Sequence, residues 1–306
     1  MSGSIWSHPY TMQNLFNEPL AMRADRIDAL PPLMLGDLTD IDVNFQAAQS
    51  WHGGELRSSA TSARRWAAGG GDKGYDVING IAVIKICGVL VHRLGVLRPA
   101  GGMTGYDGIR AAFFKALRNG AVRAIVLDID SPGGDVPGCF DLVDEIYKAR
   151  GIKPIRAILG ENAFSAAYAI ASAADWVTVP RTGGAGSIGV VMIVPDVSKA
   201  LTASGVEVTV IQFGARKADG MPERPLSKTV RKLMQAKVNA VGELFVNTVA
   251  RNRKMKPAAI KALEARTFQG AAALKVGLVD GVTAPDVAFG RLARALQVKK
   301  TGRLGR

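Results

Sequence analysis

An α/β fold with a mostly parallel central sheet is what the sequence predicts, on three observations. From Asp76 onward, apolar β-branched runs alternate with segments whose apolar residues recur at helical spacing, the signature of βαβ units. Glycine-bearing motifs stand at two places where an apolar run gives way to a helical pattern. Hydrophobic residues make up 48% of the 306-residue chain and charged residues 21%, a balance that excludes a disordered polymer and supports one large core.

Taken in order, residues 1 to about 75 mix aromatic and proline-bearing pieces (Trp6, His8, Pro9, Tyr10, Pro31, Pro32) with a polar, glycine-rich stretch over 53–71. No period is sustained there, so this part reads as an arm and a linker. A globular domain is expected over 76–285. Its first strand spans 81–91, and Tyr106, Ile109, Phe113 and Leu117 mark a helix before a strand over 124–129. Phe140, Val143 and Tyr147 mark the next helix, and a strand over 155–159 leads into a small-residue helix over about 165–174. Residues 188–194 and 206–213 read as later strands. A long helix is expected over 227–253, with shorter ones over 257–265 and 271–275. Residues 286–306 read as a basic tail, in which Arg291, Arg294, Lys299, Lys300, Arg303 and Arg306 occur with no acid among them.

The net charge of +13 favours acidic partners in general, but a positive total confers no specificity, and nucleic acid is not expected as a specific ligand. Cys87 and Cys139 lie in or beside apolar segments and read as buried thiols of a reducing compartment. No export signal or membrane-length apolar run is read, so a cytosolic protein without membrane partner is expected. No motif calls for a cofactor or a metal.

Two motifs can carry chemistry. Asp130-Ser131-Pro132-Gly133-Gly134 is expected as a turn at the end of a buried strand, and its paired glycines can turn amides toward a substrate as an oxyanion hole. Taken alone, such a sequence is more often a plain turn. Ser165, in Glu161-Asn162-Ala163-Phe164-Ser165-Ala166-Ala167-Tyr168, stands at a second strand-to-helix junction. A serine there is ordinarily a helix N-cap. The alternative is a nucleophile, because Ala166, Ala167, Ala169, Ala171 and Ala173 keep the helix slim enough for other backbone to approach.

A serine nucleophile needs a base, and the three histidines are poorly placed. His8 and His52 lie in the arm, and His92 ends the first strand well before the glycine motif. A lysine serves if burial brings its pKa from about 10.4 toward neutrality. Lys217, in Phe213-Gly214-Ala215-Arg216-Lys217-Ala218-Asp219-Gly220, is a candidate that composition alone does not select over other lysines. In Gly183-Gly184-Ala185-Gly186-Ser187-Ile188-Gly189-Val190, Ser187 is either part of a flexible turn or a hydroxyl that accepts from a lysine ammonium.

Over about 76–282 the sequence resembles the signal peptide peptidase A family of Ser-Lys proteases, which belong to the ClpP/crotonase-like fold. The resemblance rests on the Ser-Pro-Gly-Gly motif, the Ser165 helix start, Gly186-Ser187-Ile188-Gly189-Val190, the Lys217 loop, and a closing Phe268-Gln269-Gly270 with Gly277-Leu278-Val279-Asp280-Gly281, all in order. It implies Ser165 as nucleophile, Lys217 as general base, Ser187 as the hydroxyl positioning the lysine, and Gly133 and Gly134 as oxyanion-hole donors. It also implies a homo-oligomeric ring whose active sites can be shared between subunits. The segments Met12-Gln13-Asn14-Leu15-Phe16-Asn17-Glu18-Pro19-Leu20 and Leu30-Pro31-Pro32-Leu33, with no membrane anchor read, resemble the phage and prophage minor capsid protease branch. That branch implies capsid and scaffold proteins, and the protease itself, as substrates, with the procapsid interior in the host cytoplasm as location. The competing readings are a soluble host peptidase, an acyl-CoA hydratase or isomerase on the same fold, and a noncatalytic capsid- or nucleic-acid-binding protein.

Overall fold

Ile81, Val83, Ala124, Val126 and Ile158 point to one face of a sheet, while Ala82, Ile84, Ile86, Ile125, Leu127, Ile129, Ala157 and Leu159 point to the other, as the two-residue period of a strand requires. Both faces are apolar, so both must be covered. In the computed structural model, which describes residues 20–22 and 72–301, helices cover each.

The strands are β1 (Leu20–Met22), β2 (Asp76–Ile78), β3 (Ile81–Val91), β4 (Met103–Gly105), β5 (Ala124–Asp135), β6 (Ile155–Phe164), β7 (Trp176–Val179), β8 (Gly184–Gly186), β9 (Thr267–Gln269) and β10 (Gly281–Val282). They form one sheet with the central order β10-β7-β6-β5-β3-β2, parallel except at β2. On its larger face lie α1 (Tyr106–Arg118), α2 (Cys139–Lys148), α3 (Ala166–Ser172) and α5 (Lys228–Arg253). The short helices α4 (Ser198–Ala203), α6 (Pro257–Lys261) and α7 (Gly270–Lys275) lie between these elements, and α8 (Pro285–Thr301) closes the described chain. This is the mostly parallel α/β architecture expected.

The boundaries differ in instructive ways. Asp130-Ser131-Pro132-Gly133-Gly134 is not a turn: β5 runs through it to Asp135, with its register shifted between Ile129 and Ser131. Pro132 is tolerated beside that irregularity because it lacks the amide a regular ladder uses. The strand expected over 155–159 likewise runs on to Phe164. Neither 188–194 nor 206–213 is a named strand. A β-branched alternation needs a free sheet edge to become a strand, and within the described chain 206–213 has none. The basic segment is no simple tail. Leu292, Ala293 and Leu296 of α8 are buried on the smaller sheet face, against Ile81, Val83, Val126 and Ile158. Counting charge hid that apolar face. Most of the arm and linker, with His8 and His52, and also Arg303 and Arg306, lie outside the described residues.

Long α5 begins at Ser227, whose side chain accepts from the Val230 amide, and its other end is pinned by Arg253. The guanidinium donates to both carboxylate oxygens of Asp280 at 2.8 Å and to the Gly277 carbonyl at 3.1–3.2 Å. Asp280 also accepts from the Val177 amide at 2.7 Å, which ties α5 to the β7–β10 edge. Removing one partner of a buried pair strands the other charge. Asp280→Ala is therefore expected to lower the unfolding free energy by about 3 kcal/mol, read from urea denaturation.

Candidate active site

Strand β6 ends at Phe164, and the chain turns into α3 through Ser165 with φ 53° and ψ −122°. A residue with a Cβ pays about 1–3 kcal/mol for such a conformation, so the surroundings must hold it there. They do so from both sides. The Ser165 amide donates to Gly186 O at 2.9 Å, and its carbonyl accepts from the Ala169 amide at 2.9 Å. The hydroxyl makes no helix cap, contrary to the ordinary role of a serine at that junction, and lies 3.4 Å from the Gly189 carbonyl. Ser165 is fully buried in the isolated chain.

Ser187 is its structural counterpart. Phe164 and Gly186 are register partners in the parallel β6–β8 pair, so Ser165 and Ser187 leave adjacent strands side by side. Ser187 also has positive φ, 54°, its amide donates to Arg266 O, and it is 9% exposed. Glycine is required at Gly186, where φ is 120° and a Cβ would fall 2.6 Å from Arg266 O.

Gly133 and Gly134 lie on the next strand over. Ser131 pairs with Ala163, two residues before Ser165, so the glycines occupy the corresponding stretch of β5. Gly133 takes φ 105°, and its amide donates to Ser131 Oγ at 3.1 Å, which in turn donates to Gly88 O. At Gly134 a Cβ would meet Leu90 O at 1.8 Å, so close strand packing excludes any side chain. The structure thus brings Ser165, Ser187, Gly133 and Gly134 to one end of the sheet.

Lys217 is elsewhere. It is exposed on a loop after the extended segment 206–213, its amide donates to Gly214 O, and among the described residues its ammonium has no hydrogen-bond or ion-pair partner. Ile211 (95% exposed) and Phe213 (101%) stand out from the same segment. His92 serves locally, donating its amide to Asp135 Oδ2 and placing Nδ1 3.1 Å from Pro137 O. Asp135, which sequence reasoning passed over, ends β5 next to the glycines. Burial raises its pKa above the ordinary aspartate value, partly opposed by the His92 amide.

Among the described residues no cluster of His, Cys, Asp or Glu has metal-binding geometry, and no helix is long and apolar enough to cross a membrane. Both thiols are held protonated. Burial, aided by Asp128 and Asp130, pushes Cys87 up to about 11, and burial pushes Cys139 up to about 12.

A family model for Peptidase family S49 matches residues 148–299. The chain is 32% identical to capsid assembly protease C of Escherichia phage lambda, over 98% of this chain and 69% of that protein. The chain belongs to peptidase family S49. It is also 41% identical to head-tail preconnector protein GP5 of Enterobacteria phage P21, over 74% of this chain but only 46% of that protein's length. Among solved structures it is similar to a mutant of ClpP1 from Listeria monocytogenes, with a TM-score of 0.41 and 12% identity over 66% of this chain and 90% of that one.

The thiol environments give a direct test. At pH 8 the native protein should react with a disulfide reagent such as DTNB at least about 100-fold more slowly than the urea-unfolded chain, because so little thiolate is present at pKa values near 11 and 12.

Proposed function

We propose that this S49 chain is a serine endopeptidase in which Ser165 is the nucleophile and Lys217 the general base. The observation that carries the reading is the strained turn at Ser165, which leaves the hydroxyl free of any capping role beside the glycine-bearing end of β5. Neutral Lys217 takes the proton as Ser165 Oγ attacks the scissile carbonyl carbon. The lysine then returns it to the leaving amine as the C–N bond breaks. Neutral Lys217 then takes a proton from water as it attacks the acyl-serine, and returns that proton to Ser165 Oγ as the ester C–O bond breaks and the second product leaves. Ser187 orients the lysine. Gly133 and Gly134 provide the oxyanion-hole amides, and since the Gly133 amide already donates to Ser131 Oγ, Gly134 is the better placed donor.

The exposed position of Lys217 supports assembly as part of the mechanism. In the isolated chain the lysine stands in solvent, away from Ser165. Ile211 and Phe213, exposed just before it, supply the apolar surface by which this segment docks on another copy, carrying Lys217 into a shared site of a homo-oligomeric ring. By analogy with the relative named as a capsid assembly protease, the substrates are capsid and scaffold proteins and the protease itself, and the place of action is the procapsid. We assign residues 1–75 to an arm and linker and 76–285 to the protease domain.

Ser165→Ala and Lys217→Ala are each expected to lower kcat/KM for peptide hydrolysis by about 1,000-fold or more, with unchanged circular dichroism. A fluorophosphonate should label Ser165 in the assembled protein; labelling elsewhere would sink the assignment. When the two inactive variants are mixed and reassembled, a shared site predicts that activity returns. A site built within one chain predicts that it does not.

A further inference from the structure

Strand β1 is three residues long and far in sequence from everything it touches, yet its position is well defined by register. Leu20, Ala21 and Met22 pair antiparallel with Asp135, Gly134 and Gly133. The other edge of those glycines is already taken, because Val89 and Leu90 of β3 pair with Gly133 and Gly134. So β1 lies on the edge facing β6. That edge is open for a definite reason: the last β5–β6 pair is Ser131 with Ala163, after which β6 turns away through Ser165 into α3. β1 therefore lies along the glycine edge of β5 on the side toward the Ser165 turn.

An exposed strand edge with unpaired amides and carbonyls is a ready receptor for any extended chain, and binding by strand addition depends on backbone far more than on side chains. The glycine edge is also where a peptide must lie for its carbonyl to reach both Ser165 and the Gly134 amide. We propose that Leu20–Met22 is a built-in competitor for substrate, occupying in cis the backbone track of the active site and holding it closed until a substrate chain displaces the strand. The proposal rests on the protease reading for its consequence, but the docking stands on register alone. Tethering favours such a competitor, since its binding to its own site is intramolecular.

The test uses the full chain. A fluorescein-labelled peptide of residues Asn17 to Asp25 is titrated by anisotropy into Ser165→Ala, and into the same protein carrying Ala21→Pro or, as an independent lesion, Met22→Pro. Proline at either place removes an amide and restricts φ, and so breaks β1 pairing. If β1 fills the track about nine-tenths of the time, both lesions raise peptide affinity about tenfold. With Ser165 intact they raise kcat/KM on a reporter peptide by a similar factor. Equal affinity with and without the lesions, or no binding to any of the proteins, overturns the proposal. Tighter binding without any Ser165-dependent hydrolysis keeps the docking and removes the protease reading. Hydrolysis and binding that are both indifferent to the lesions keep the protease and remove the competitor.

Discussion

The site depends on the burial of α3. All seven of its residues are buried, and five of the nine from Ser165 to Ala173 are alanine, so the sheet and α5 close on it from both sides. A slim helix has little side chain with which to resist sliding, and its fixation comes from polar contacts at its far end. Arg150 donates to the carbonyls of Ser172, Ala173 and Ala174 at 2.7–2.8 Å, satisfying the acceptors that a helix C-terminus leaves unpaired. Asn252 donates to Ser172 Oγ, and the Tyr168 hydroxyl donates to Leu278 O at 2.7 Å. These contacts fix the helix that Ser165, at φ 53°, leads into.

The same logic explains why glycine crowds this end of the sheet. A Cβ at Gly134 would collide with the Leu90 carbonyl of β3, one at Gly183 with the Glu161 carbonyl of β6, and one at Gly186 with the Arg266 carbonyl just before β9. Close backbone approach on these edges keeps this end of the sheet free of side chains. The opposite edge of Gly133 and Gly134, left open where β6 turns away, is the one that pairs with β1.

Most of the fold was legible from residue pattern. The alternation of apolar strands with helical spacing placed β3, α1, α2 and α5 and the starts of β5 and β6, because those elements bury apolar stripes that set their own period; β5 and β6 run five or six residues further than the pattern predicts. Ser165 and the glycines were legible as motifs, but their meaning was not. Ser-Pro-Gly-Gly read as a turn because local propensity says so, and only pairing with β3 on one edge and β1 on the other makes it a strand. Pairing of Leu20 with Asp135 had no local signal at all. The helical tail escaped notice because Leu292, Ala293 and Leu296 are spread thinly among basic residues.

Lys217 marks the remaining gap between pattern and site, and the proposed assembly is what would close it. Ile211 and Phe213 are both almost wholly exposed a few residues before the lysine, an apolar surface that a neighbouring copy would cover. The β-branched run 206–213 would at the same time gain the sheet edge it lacks in the isolated chain. In that arrangement the base becomes competent only when subunits meet, and a displaced β1 is then the second condition for cleavage.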